Sequence, residues 1–138
     1  MMKRCLILGL PLLLGAQVMI SVPDSSMEQG LIYDIPVMLS NAEPTEEIVS
    51  IELTVIWDTT YIAIETLSNF GSITENWADP VYNLSDGQLT IWLYGGEPII
   101  GDGLIISLNI RILDDAPTNT TLLSFSHSYI NEIGRAHV

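Results

Sequence analysis

Ile48-Val-Ser-Ile-Glu-Leu-Thr-Val-Ile-Trp57 is the stretch whose reading decides the fold. Its period is two: Val49, Ile51, Leu53, Val55 and Trp57 fall on one side, and Ser50, Glu52 and Thr54 on the other. Successive side chains of a strand point to opposite faces, so this pattern predicts a half-buried β-strand. Gln88 to Tyr94 repeats it with Leu89, Ile91 and Leu93 inward, and Leu104 to Ile112 with Leu104, Ile106, Leu108, Ile110 and Ile112 inward. Further strands are predicted at Gln17 to Val22, Tyr33 to Leu39, Tyr61 to Thr66 and Thr121 to Ser126, each bounded by Gly, Pro, Asn or Asp. No helix-length 3.6-residue pattern and no internal repeat interrupts them. Short alternating strands between turns predict an all-β fold, an antiparallel β-sandwich whose two inner faces make the core. Pro36 cannot donate a ladder hydrogen bond, so it predicts a sheet edge or bulge.

Composition bounds the function. The 138 residues hold 17 acids against 4 Lys plus Arg, a net charge of −13, and Arg111 is the one Lys or Arg between Asp24 and Glu132. Binding to nucleic acid or anionic lipid depends on clustered basic residues, so both are excluded as partners. With 48% hydrophobic and only 15% charged residues, the chain can nonetheless bury a core.

The two ends read differently from the middle. Lys3 and Arg4 precede an apolar run from Cys5 to Leu14, followed by Gly15, Ala16 and Gln17. This is the layout of a secretory signal peptide, residues 1–16, cut after Ala16 and too short to span a bilayer. Pro11 and Gly9 argue against a buried strand there, and nothing nearby looks able to pair with it. At the other end, Glu132 to Val138 back-translates to the start of a common short-read sequencing adapter, so residues 132–138 are read as adapter and the natural protein as continuing past Asn131. The folded domain is then 17–131. Cys5, the one cysteine, lies in the leader, which leaves the domain no thiol for a disulfide, a zinc site or a nucleophile.

Gly30-Leu-Ile-Tyr-Asp-Ile-Pro-Val-Met-Leu-Ser-Asn41, Ile51-Glu-Leu-Thr-Val-Ile-Trp-Asp58, Gly103-Leu-Ile-Ile-Ser-Leu-Asn-Ile-Arg111 and Thr121 to Glu132 together resemble the bacterial cohesin domain, the receptor module of cellulosome scaffolds. Trp57 stands where that family usually has Tyr, Thr59 where it has Pro, and the family's last strand is missing. The resemblance implies a nine-stranded jelly roll that binds a dockerin, a small module carrying its own calcium, on secreted polysaccharide-degrading enzymes. It implies that the outward side chains of Ile48–Trp57 and Gln88–Tyr94 make the contact. It also implies that a chain lacking the last strand has an unpaired edge.

The candidate partner-binding residues are therefore Ser50, Glu52, Thr54, Thr90, Trp92 and Tyr94, aromatic anchors among polar contacts. Against this stands a loop, Ser72 to Leu84, folded over the rings, and both readings stay open. Trp77 and Tyr82, with Asn83, offer a possible sugar-stacking cluster, although pinning a long loop is the better reading of them. Asp58, Asp79, Asp86, Asp102, Asp114 and Asp115 lack the spacing of a calcium loop and read as solvated turns, so no metal and no cofactor are expected. His127 has no spaced partner, and no nucleophile or phosphate-binding motif occurs. The chain is read as secreted and noncatalytic. The alternatives are a carbohydrate-binding module that takes polysaccharide directly and a structural or adhesive domain of a larger surface protein.

Overall fold

The computed structural model describes residues 3–14, 18–40, 47–99 and 101–131. The expected cleavage point, Asn41 and the 132–138 tail lie outside them. Among the described residues there is no helix, and eleven strands form two sheets. In chain order they are β1 (Arg4–Gly9), β2 (Leu12–Leu14), β3 (Val18–Ser21), β4 (Ser25–Glu28), β5 (Ile32–Ser40), β6 (Ile48–Trp57), β7 (Ile62–Ser68), β8 (Val81–Ser85), β9 (Gln88–Ile99), β10 (Gly103–Ile112) and β11 (Thr120–Ile130). One sheet runs β4-β1-β11-β6-β9-β8 and the other β2-β3-β5-β10-β7. From β5 onward the chain crosses repeatedly from one sheet to the other, the wrapping of a jelly roll. Every predicted strand exists, and β6 begins and ends where the alternation does.

The core lies between the sheets. Ile51, Leu53 and Val55 of β6 and Leu89, Ile91 and Leu93 of β9 face Ile35, Val37 and Leu39 of β5 and Leu108, Ile110 and Ile112 of β10 across the sandwich, all essentially inaccessible to solvent. Strict alternation fails at two strand ends. In β10 the register shifts between Leu104 and Ile106, so Ile105 and Ile106 are both buried and Leu104 is only half-buried. Between β6 and β9 it shifts where Ser50 opposes Tyr94 but Ile48 opposes Ile99, so the extra residues lie in β9, while Ile48 is buried and Val49 is half-buried instead of inside as expected. One extra residue in a bulge reverses the parity of everything beyond it. Pro36 stands opposite Ser107 of β10, while the pairing of β3 with β5 reaches only Met38, so the proline has a paired neighbour on one side alone.

The amino-terminal segment departs from expectation. Instead of lacking a partner, β1 lies between β4, antiparallel, and β11, parallel. Cys5 and Ile7 enter the core at 2% and 0% exposure. Arg4 pairs with Glu28 at 2.7 Å and also donates to the Ser26 hydroxyl and carbonyl. Gly9 fits because a β-carbon there would come within 2.3 Å of the Val22 carbonyl oxygen, and its N–H donates to Asp24. β1 thus covers the edge of β11 from Thr120 to Leu123. Burial drives the thiol of Cys5 above its ordinary pKa, which suits a small core residue.

If β1 is part of the folded core, Ile7→Ala should cost roughly 2–5 kcal/mol, the usual range for a fully buried large aliphatic residue. Urea denaturation of the full chain and the variant measures it, and equal midpoints would show that the segment contributes nothing to the core.

Candidate binding face

The outward side of β6 and its neighbours carries all six residues singled out in the sequence. They stand as three directly opposed pairs: Ser50 with Tyr94, Glu52 with Trp92, and Thr54 with Thr90. Opposed side chains on one face lie close enough to interact, and two pairs are bonded. The Trp92 indole N–H donates to Glu52 Oε1 at 2.8 Å, and the Thr54 and Thr90 hydroxyls are 3.1 Å apart. Thr54 and Ser50 are buried within the face at 1% and 5%, Trp92 and Glu52 are half-buried, and Tyr94 is 42% exposed. Tyr94 and Trp92 therefore stand over a hydroxyl floor.

Flanking strands extend this grid. On β11, Tyr129 opposes Glu52 and His127 opposes Thr54, while on β8, Val81 opposes Trp92 and Asn83 opposes Thr90. Val81-Trp92-Glu52-Tyr129 is thus one row across four strands, about 14 Å long at the usual strand spacing. Val81 and Tyr129 are both exposed. Neither was singled out in the sequence, because β8 reads as loop and Tyr129 lies past the predicted end of its strand. The register shift between Phe125 and His127 also hides Tyr129 from simple alternation.

Asn131 closes one end of the face. Its backbone is in the left-handed region at φ 56°, which Asn tolerates better than most residues. Its side-chain carbonyl accepts from the Val49 and Ser50 amides at 2.8 and 3.3 Å, and its own N–H donates to the Ser50 carbonyl at 2.8 Å. These bonds tie the first residues of β6 to the end of β11.

The loop expected either to cover the rings or to stay clear of them divides: Ile73 to Trp77 packs into the sandwich, and Val81 to Leu84 runs beside β9 as part of the edge strand β8. Thr74 is fully buried, with its hydroxyl donating to the Ile105 carbonyl at 2.7 Å, and Ile73 N–H donates to Leu104 O. Trp77 is 8% exposed, and its indole N–H donates to the Glu97 carbonyl at 2.9 Å. Gly95 makes this possible, since a β-carbon there would fall 2.1 Å from the Trp77 ring. Trp77 is accordingly a core residue and offers no stacking surface. Tyr82 is 47% exposed but pairs with Ile91, which puts it on the opposite parity from Trp92. The expected Trp77–Tyr82 sugar cluster does not form, because one ring is consumed by the core.

Among the described residues, no three His, Cys, Asp or Glu side chains gather as a metal site would require. Among the turn acids, Asp58 bonds locally. Asp58 accepts from the Thr60 amide and hydroxyl at 2.9 and 2.7 Å, and these bonds hold its carboxyl below the ordinary value. Trp57, on the inward parity of β6, has a buried indole N–H with no partner among the described residues.

A family model described as the cohesin domain matches residues 18–136. The chain belongs to the cohesin family. The match starts beyond Ala16 and runs into the 132–138 stretch. No curated protein sequence matches significantly. Among solved structures, the chain is similar to the cohesin of a type I cohesin–dockerin complex from Clostridium thermocellum, with 22% identity, TM-score 0.60, and 72% of each chain covered. It is also similar to a non-cellulosomal cohesin from the archaeon Archaeoglobus fulgidus, at 18% identity and TM-score 0.54, covering 79% of this chain and 88% of that one. A third likeness is to a Clostridium acetobutylicum cohesin, at 14% identity and TM-score 0.57, covering 90% of this chain and 76% of that one. At such identities the likeness establishes a shared β-sandwich fold.

Three outcomes follow from this geometry. Gly95→Ala should lower the melting temperature by several degrees, since overpacking of about 1–3 kcal/mol is expected against the Trp77 ring. Trp57→Phe removes an unpartnered donor and should cost under about 1 kcal/mol, whereas Trp92→Phe should lose the bond to Glu52, visible as a change in Trp fluorescence and stability. In an NMR titration the Asp58 carboxyl should protonate below its ordinary value of 3.8. A folded pKa that is depressed means that the turn's contribution is present above the unfolded value and is lost as pH falls through the folded one. Asp58→Asn should abolish that acid-limb signal.

Proposed function

We propose that the chain is a secreted, noncatalytic receptor module that binds a dockerin-bearing partner in extracellular polysaccharide breakdown. The observation that carries this reading is the single face on which Ser50–Tyr94, Glu52–Trp92 and Thr54–Thr90 stand as adjacent pairs, held on one rigid sheet by β6 and β9. Family membership and the cohesin–dockerin complexes among similar folds support the class of partner. A protein partner suits the face better than a sugar does. Its exposed aromatics, Tyr94 and Tyr129, are interspersed with a carboxylate and hydroxyls and do not form a flat row, and Trp77 is withdrawn into the core. Aromatic burial amid polar contacts is how hot spots of protein interfaces are built.

Secretion rests on the leader-like composition of residues 1–16 and on a family match that begins at 18. The same segment supplies β1, so the two uses are alternatives for one molecule. Amino-terminal sequencing of the chain exported by a bacterial host decides between them: Gln17 as the first residue supports the leader, and an intact Met1 supports retention.

Titration against calcium-loaded dockerins from the source genome tests the binding. At least one should bind, and Trp92→Ala or Tyr94→Ala should each weaken it by roughly tenfold or more, as expected of interface aromatics. Absence of binding to every dockerin, with retention on insoluble polysaccharide, would instead assign a carbohydrate-binding module. Absence of both would leave a structural or adhesive domain.

A further inference from the structure

We infer that the outer face of the other sheet carries a carbohydrate subsite, at which one ring of a neutral polysaccharide stacks on Phe70 and hydrogen-bonds to Asp34 and Asn109. It is separate from the face of β6 and β9 and does not rest on the receptor reading. Three strands build it. Asn109 of β10 stands between Asp34 of β5 and Thr66 of β7, and Ser107 of β10 opposes Ser68 of β7. Along β5 and β10 these residues alternate with the buried Ile35, Leu108 and Ile110, so the core aims them outward. Together with Phe70 they line a depression of about 250 Å³.

A closed turn presents the aromatic ring. Ser72 N–H donates to the Asn69 carbonyl at 3.2 Å, Gly71 takes the left-handed conformation at φ 75°, and Phe70 N–H donates to the Ser68 hydroxyl at 3.1 Å. Phe70 stands at the corner of this turn, takes no part in the core, and is 82% exposed, the most of any large apolar side chain described. The polar groups beside it are also ordered. The Asn109 amide donates one N–H to Asp34 Oδ1 at 3.0 Å, which fixes the two planar groups against each other. Its second N–H and its oxygen stay available, as do the remaining lone pairs of Asp34. Neighbouring sugar hydroxyls each donate and accept, so a carboxylate beside an amide matches them, while the C–H face of the pyranose meets the electron-rich face of the ring. The depression is smaller than the roughly 300–1,000 Å³ of a pocket that encloses a whole small molecule, which suits one ring of a longer chain laid across the sheet. Asp34 is the one charged side chain lining it, and Arg111, further along β10, is held by Glu65 at 2.9 Å. With a net charge of −13 the chain repels acidic polysaccharides, so the sugar is a neutral one.

Affinity electrophoresis of the full chain through gels containing hydroxyethylcellulose, xyloglucan, galactomannan or polygalacturonate tests the subsite. At least one of the three neutral polymers should retard the chain, and polygalacturonate should not. Phe70→Ala and Asn109→Ala should each weaken that retention roughly tenfold or more. Because Phe70 lies outside the core, the melting temperature of Phe70→Ala should match that of the unmodified chain, and Trp92→Ala should leave retention unchanged. Passage through every neutral gel without retardation, retention that survives Phe70→Ala, retention abolished by Trp92→Ala, or equal retention by polygalacturonate would overturn the subsite. A dimer that Phe70→Ala dissociates, without retardation by any polymer, would assign the ring to a contact between copies and overturn it too. None of these outcomes bears on the receptor reading, which is tested with dockerins on the opposite sheet.

Discussion

Everything in this molecule depends on β6 having two paired neighbours and two differently dressed faces. It lies between β9 and β11, and its inward residues Ile51, Leu53 and Val55 are fully buried. Each such side chain contributes about 1.5–3 kcal/mol on leaving water. Because side chains alternate strictly, fixing that inward set fixes the outward one: Ser50, Glu52 and Thr54 have nowhere else to point. A slip of one residue would bury Glu52 and expose Leu53. The hydrophobic core therefore sets the register of the binding face, so the face is rigid without needing stability of its own.

That coupling explains what was legible in the sequence. Where a strand has one wet face and one dry face, as in β6, the early part of β9 and the middle of β10, the alternation specifies both the strand and its orientation. Legibility ends where a second constraint acts. The bulges at Ile105 and Ser126 each add a residue to one strand, β9 takes extra residues between Tyr94 and Ile99, and only the partner strands determine where that happens. β8 was missed for a different reason. All five of its residues are exposed at the sheet edge, so no alternation of burial is written into them. Trp77 was left with two readings because a lone aromatic in a loop looks the same whether it faces solvent or fills the gap that Gly95 leaves.

The amino terminus shows the limit of composition as a guide. An apolar run after two basic residues has the properties of a leader, and the same residues suit a strand buried on one side, since both need hydrophobicity and neither needs charge. What separates the two is tertiary. Cys5 and Ile7 alternate with Arg4 and Leu6 in register with β4 and β11, and Arg4 meets a carboxylate at the sheet edge. Those partners, from Ser25 opposite Ile7 onward, lie 18 or more residues away in sequence, beyond the reach of alternation within one strand.

Acidity and the aromatic face act on different stages of association. Long-range charge governs the rate at which a partner arrives and which partners are turned away, whereas affinity is decided by the few groups desolvated at the centre. Glu52 belongs to the diffuse negative field, yet its bond to Trp92 places its carboxylate in the row that a partner would cover. The surrounding hydroxyls of Thr54, Thr90 and Ser50 are uncharged and largely buried within the face, so they add polarity without adding charge. A face that fixes one carboxylate beside an indole and neutral hydroxyls distinguishes partners by where they place charge as well as by its sign.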